Sequence, residues 1–151
     1  MELSELMNDL AERIGIQGGL RPDEEGVYRM GRDGIAVSIL EVPEDESILV
    51  YSEVCELPVE GADEFKTALL QANFMGRGTP DGAFSLSEDG HVVLHRYVNA
   101  ARTDAEGLQK VLEAFLRIML NWRQLAEDYR PVAKERAEQR RKEPAAWVNF
   151  V

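Results

Sequence analysis

One cysteine, Cys55, is all the sequence offers in 151 residues, and a single thiol excludes an intramolecular disulfide framework. A lone thiol suits a reducing compartment. Histidine is nearly as scarce, with only His91 and His95. They stand four apart in HVVLHRYV, whose alternation reads as a strand, where such positions are about 13 Å apart. That separation excludes joint ligation of one metal ion, and neither an HExxH pattern nor a second cysteine completes a ligand set. A surplus of positive charge is also missing. Lys and Arg number 17 against 28 Asp and Glu, a formal net charge of -11, which disfavours nucleic acid and anionic lipid as partners. No window approaches the roughly 20 apolar residues of a membrane-spanning helix. The opening MELSELMNDLAERIG carries Glu2, Glu5 and Asp9 where a secretory signal needs a basic patch and an unbroken apolar run. These absences predict a cytoplasmic protein with no metal, no cofactor and no membrane insertion.

No reactive constellation emerges either. A Cys–His nucleophile needs Cys55 beside a histidine in an activating environment. Cys55 instead lies between Val54 and Leu57 in a strand-like run and reads as a small apolar thiol. The carboxylates concentrate in acidic turns, Asp23 to Glu25 and Glu44 to Glu46, where charge faces water. No catalytic residue is nominated, and no enzyme is predicted. The basic run Arg136, Arg140, Arg141 and Lys142 alternates with Glu135 and Glu138, the pattern of a solvated helix.

What is present is a clear succession of periodic segments. Leu3, Leu6, Met7, Leu10, Ala11 and Ile14 recur at three and four, one face of a helix that Gly15 stops. VYRM, the turn GRDG and IAVSILEV read as a hairpin, and SILVYSEVCEL follows as a third strand after PEDE. Pro58 to Gly61 breaks the pattern before a second helix near Ala62. AFSLS and HVVLHRYVN form another hairpin around EDG, and Asp104 caps a long third helix reaching about Tyr129. The fold class is therefore α+β, an antiparallel sheet with three main helices on one side in the order α-β-β-β-α-β-β-α. Residues 1–130 form the domain, and 131–151 a polar, helical tail. Residues 130–151 carry six basic and three acidic side chains, a net of +3, which leaves -14 for the rest. That reversal predicts a tail separable from the core, cut by protease between Lys134 and Lys142. Its end, PAAWVNFV, could dock on the domain, enter a neighbour's groove or stay free.

GRGTPDG, at 76–82, has the glycines of a phosphate loop but follows a helix instead of preceding one, so it sits at the negative end of the dipole. It reads as a helix cap and turn, with Gly76 at positive φ and Pro80 barring continuation. The helix before it holds more apolar groups than one buried stripe needs: Leu69, Leu70, Ala72, Phe74 and Met75. Either it lies wholly in the core, or it also faces a second copy.

LLQANFMGRGTPDGAFSLSEDGHVVLHRYV, followed by LQKVLEAFLRIMLNWRQ, resembles the class I type III secretion chaperones, the Tir-chaperone family. The resemblance runs from about Leu3 to Tyr129 and is most specific from Leu69 to Leu86, where the second helix ends in a similar L-x-x-N-F/L-x-x-G turn. It implies a non-enzymatic homodimer that binds the N-terminal region of one or more secreted effectors in extended form and keeps it secretion-competent, with no cofactor. It makes Leu3, Leu6, Leu10, Ile14, Val37 and Ile39 candidates for effector binding. Phe65, Ala68, Leu69, Ala72 and Phe74 become candidates for the dimer interface. A small dimeric regulator or scaffold that binds a folded partner remains the alternative. The tail after Pro131 lies beyond the pattern.

Overall fold

The computed structural model describes residues 2–128 and 146–150. Helix α1 spans Leu3–Ile14 and buries Leu6, Met7, Leu10 and Ala11. Gly15 ends it at φ 78°, and the Ile16 amide donates to the Ala11 carbonyl at 2.9 Å. The buried Ile16 side chain closes this cap. Strands β1 (Tyr28–Arg32) and β2 (Ile35–Val42) meet in a two-residue turn. Asp33 and Gly34 both take positive φ there, 55° and 75°, which matches the twist of the flanking strands.

Strand β3 (Ser47–Glu56), helix α2 (Ala62–Asn73), strands β4 (Gly82–Leu86) and β5 (His91–Asn99) and helix α3 (Ala105–Asp128) follow. The α-β-β-β-α-β-β-α order expected from the sequence is observed through α3, and a short strand, β6 (Val148–Asn149), follows. Asp104 caps α3 as expected, its carboxylate accepting from the Gly107 amide at 2.8 Å. The sheet runs β4-β5-β3-β2-β1-β6 with antiparallel pairing throughout.

One sheet face is packed. Met30, Ile35, Val37, Ile39, Ile48, Val50, Val92 and Leu94 on this face are buried with α1 and with Leu108, Leu112, Phe115, Leu116, Met119 and Trp122 of α3. α2 joins the same layer where Phe65 meets Trp122 edge-on, with ring centroids 6.0 Å apart. The register places Leu40, Leu49, Tyr51, Val93 and Tyr97 on the other face. These are only half-buried, and Tyr97 is exposed.

A bulge interrupts β3 between Glu53 and Cys55, and a bulge leaves backbone groups without ladder partners. Arg123 of α3 supplies donors there. Its Nε donates to the Val54 carbonyl at 3.0 Å and one terminal nitrogen to the Glu53 carbonyl at 3.2 Å. The other reaches Gly34 in the β1–β2 turn at 3.1 Å. Arg123→Met keeps the aliphatic stem and removes the donors, so it should cost about 1–3 kcal/mol in denaturant unfolding. A change below a few tenths of a kcal/mol would show that water serves these carbonyls equally well.

At the chain's last described element, the end of the tail docks on the domain, one of the alternatives the sequence left open. Strand β6, Val148–Asn149, pairs with β1, and Trp147 before it is buried. An unpaired strand edge and an aromatic anchor outweigh the polar character of the residues between. The expected tail helix and the protease sites from Lys134 to Lys142 lie outside the described residues.

Candidate functional site

The end of α2 is built by backbone and amide geometry. The Asn73 side chain reads β4 as a neighbouring strand would: its Oδ1 accepts from the Phe84 amide at 2.8 Å and its Nδ2 donates to the Phe84 carbonyl at 3.0 Å. The Gly78 amide returns to the Ala72 carbonyl at 2.9 Å, and a methyl group on Gly78 would crowd Ala72. Buried Thr79 donates its hydroxyl to the Gly82 carbonyl at 3.0 Å. The glycine stretch thus serves as a helix cap and turn. Met75 at φ 56° and Gly76 at φ 69° make the reversal.

This turn pushes apolar side chains outward. Leu70, Phe74 and Met75 are 71, 61 and 83 % exposed, and Arg77 stacks on the Phe74 ring at 5.6 Å. The candidates for a dimer interface therefore separate. Phe65 and Leu69 are core side chains, Ala68 and Ala72 are half-buried against the core, and Phe74 is on the surface. Leu70 and Met75 join Phe74 there. Adjacent Leu69 and Leu70 project about 100° apart on a helix, so their succession already signalled that one points away from the core.

The effector-binding candidates separate in the same way. Leu6, Leu10, Val37 and Ile39 are enclosed within a single chain, with exposures of 2 % or less. Leu3 and Ile14, at the two ends of α1, are half-exposed. Leu3 lines an open groove of about 550 Å³ at the end of the sheet, together with Pro22, Tyr28, Leu40 and Pro43. Glu2, Glu25 and Glu41 rim it. A second groove of about 280 Å³ along α1 shares Ser4, Pro22 and Tyr28 with the first. Leu40 continues the apolar surface onto the open sheet face, where it pairs with Leu49, and Leu49 with Tyr97. Leu40, Leu49 and Tyr97 carry this track, and buried Tyr28 lies at the floor of the groove at its end. The alternation of β2 and β3 set Leu40 and Leu49 on the face opposite the core, but which face would stay open was not legible.

Both histidines project from the open face. His91 Nδ1 lies 2.6 Å from Glu53 Oε1, and its Nε2 lies 3.6 Å from Asp89. The hydrogen bond to Glu53 raises the imidazole pKa above its ordinary 6.5, helped by the charges of Glu53, Asp89 and Glu56. A raised folded-state pKa means the interaction stabilises fully below the unfolded pKa and is lost as pH rises through the folded one. Glu53→Gln should move the His91 NMR titration back towards 6.5; an unmoved midpoint would count against this pair. Among the described residues, no cluster of three or more His, Cys, Asp or Glu side chains is placed to hold a metal ion. Among them, no helix is long and apolar enough to cross a membrane.

No curated protein matches the chain by sequence. Among solved structures, a chain of the ExsC-ExsE complex superposes with a TM-score of 0.67 at 26 % identity, covering 82 % of this chain and 92 % of that one. The Yersinia pestis type III secretion chaperone SycH, solved with a stable fragment of YscM2, gives a TM-score of 0.65 at 18 % identity over 80 % of this chain and 99 % of the matched chain. The HopA1-SchA chaperone-effector complex gives 0.67 at 16 % identity over 81 and 93 %. The last two show a shared fold. The sequence model of the Tir chaperone protein (CesT) family matches residues 5–123, most of the chain. The chain belongs to the Tir chaperone protein (CesT) family, a family of chaperones and not of enzymes.

Proposed function

We propose that the protein is a cytoplasmic homodimer that holds the N-terminal segment of one or more type III secreted effectors in extended, secretion-competent form. One observation carries this reading: an enclosed core coexists with half-exposed apolar side chains, Leu3 and Leu40 at an open groove and Leu49 and Tyr97 beside Leu40 on the open sheet face. An extended segment needs a long surface with places for apolar anchors, and Leu3, Pro22, Leu40 and Pro43 in the groove offer one such place. The acidic rim of Glu2, Glu25 and Glu41 suits a segment with basic residues between those anchors. The net charge of -11 keeps such a surface soluble. Relatives solved as chaperone complexes, HopA1-SchA among them, support the partner class.

The test is capture of secreted proteins from a secretion-competent cytosol, followed by amide exchange on the purified complex. Leu3→Asp with Leu40→Asp should weaken capture at least tenfold and leave the fold intact, since a carboxylate desolvated in an apolar groove costs a few kcal/mol. Leu6→Asp or Ile39→Asp should instead unfold the chain. Protection along a long, non-globular partner segment supports the escort role. Recovery of folded partners alone, with the track unprotected, would replace it with the regulatory scaffold.

A further inference from the structure

The β1 edge already carries a strand, and that strand is the chain's own. Met30 pairs with Asn149 and Gly31 with Val148. Three side-chain contacts hold the segment. Trp147 is 6 % exposed, and its indole N–H donates to Glu113 of α3 at 3.3 Å. The Arg32 guanidinium lies 4.9 Å from the Trp147 ring centroid and grips Glu113 through two hydrogen bonds, of 2.9 and 2.6 Å. On the other face, the Phe150 ring occupies the space above Gly31, where a methyl group would collide with it. A methyl there would also meet the Ile35 carbonyl, so Gly31 serves the β1–β2 hairpin and, in addition, leaves space for the ring.

The contacts are few. Two backbone pairs and three side-chain contacts form a small interface, and Val148 and Phe150 remain half-exposed. The tail can reach its own edge. Trp147 meets Glu113, 15 residues before the end of α3, about 22 Å back along the helix. The 18 steps from Asp128 to Ala146 span up to about 60 Å when extended. Antiparallel to β1, the segment heads from Gly31 and Met30 towards Tyr28, which lines both grooves. The edge and the apolar track therefore meet at Tyr28.

We infer that Trp147–Phe150 is a built-in, displaceable guest of the β1 edge, a strand that a partner must evict before adding one of its own there. The site accepts an extended segment with an aromatic residue at one position and a second three residues later, the first stacked on Arg32 and the second over Gly31. Tethering places the tail at an effective concentration in the millimolar range, so a weak guest suffices to keep the edge closed. A partner that also fills the Tyr28 groove gains contacts that the tail lacks and so displaces it. Closure also protects a bare strand edge from pairing with other chains. Eviction by a groove-filling partner rests on the proposed escort role, whereas occupancy of the edge by the tail is tested apart from it.

The experiment uses the full chain and, as probe, a fluorescently labelled peptide of its last eight residues, Pro-Ala-Ala-Trp-Val-Asn-Phe-Val. The double variant Trp147→Ala, Phe150→Ala should bind the peptide at least tenfold more tightly than the unaltered chain does, with new amide protection in β1. Equal affinity for both chains, or no binding to the variant, overturns the inference. If the variant does not fold, the unaltered, isotope-labelled chain is titrated with excess unlabelled peptide. Resonances of Val148, Asn149 and Phe150 should move to free-chain positions as the guest is exchanged, and resonances that stay in place at saturation overturn it.

Discussion

Phe74→Glu combined with Met75→Glu is expected to convert the proposed dimer into a folded monomer. Both side chains, with Leu70 on the preceding turn, form an apolar surface at the end of α2 that a single chain leaves in water. In a two-fold interface each substitution is present twice and lies close to its symmetry mate. Four carboxylates would then be desolvated or forced together. The loss should be on the order of 4 kcal/mol or more, roughly a thousandfold in the dimer constant. Thermal stability of the monomer unit should barely change, because neither side chain belongs to the core. Light scattering over the micromolar range reads the mass directly. An unaltered protein that is monomeric at tens of micromolar (roughly where standard-sized interfaces stay closed) would sink the dimer.

Trp122→Ala is expected to be the most damaging single truncation for stability. The Trp122 ring meets Phe65 of α2 at 6.0 Å and Phe84 of β4 at 4.8 Å, both edge-on, so one α3 side chain joins a helix and a strand to the core. Removing it should cost about 3–5 kcal/mol, a large part of the 5–15 kcal/mol typical of a whole domain. α2 should loosen first, since Phe65 and Leu69 are its only fully buried side chains. Dimerisation should weaken along with stability, whereas the Phe74 and Met75 substitutions should separate the two. A loss under 1 kcal/mol in denaturant titration would mean that α2 is held in some other way, with the Asn73 clamp on Phe84 the first place to look.

Burial separates two kinds of mutation on α1 and β2. A charged residue at Leu10 or Val37 tests the core, because both are fully enclosed. Changes at Leu3 and Leu40, which are only half-buried, test the proposed partner surface without breaching the core. An amphipathic pattern identifies a face that is buried, but it does not distinguish burial in the chain's own core from burial against another molecule.

By itself the sequence determined the features that depend on a few neighbouring residues. Gly15 stops α1 because left-handed backbone costs glycine little, Asp33–Gly34 makes the tight hairpin for a related reason, and Asp104 caps α3 with a side chain three residues from the amide it serves. Element order followed from these punctuation marks and from the period of the apolar residues between them. Only the tertiary structure decided which of Leu69 and Leu70 entered the core, which sheet face stayed open, where the three Arg123 donors went, and that Trp147 closed the β1 edge. Each of these joins residues far apart in the chain. Their outcome depends on what the rest of the fold leaves unpaired or uncovered, and no local pattern carries that information.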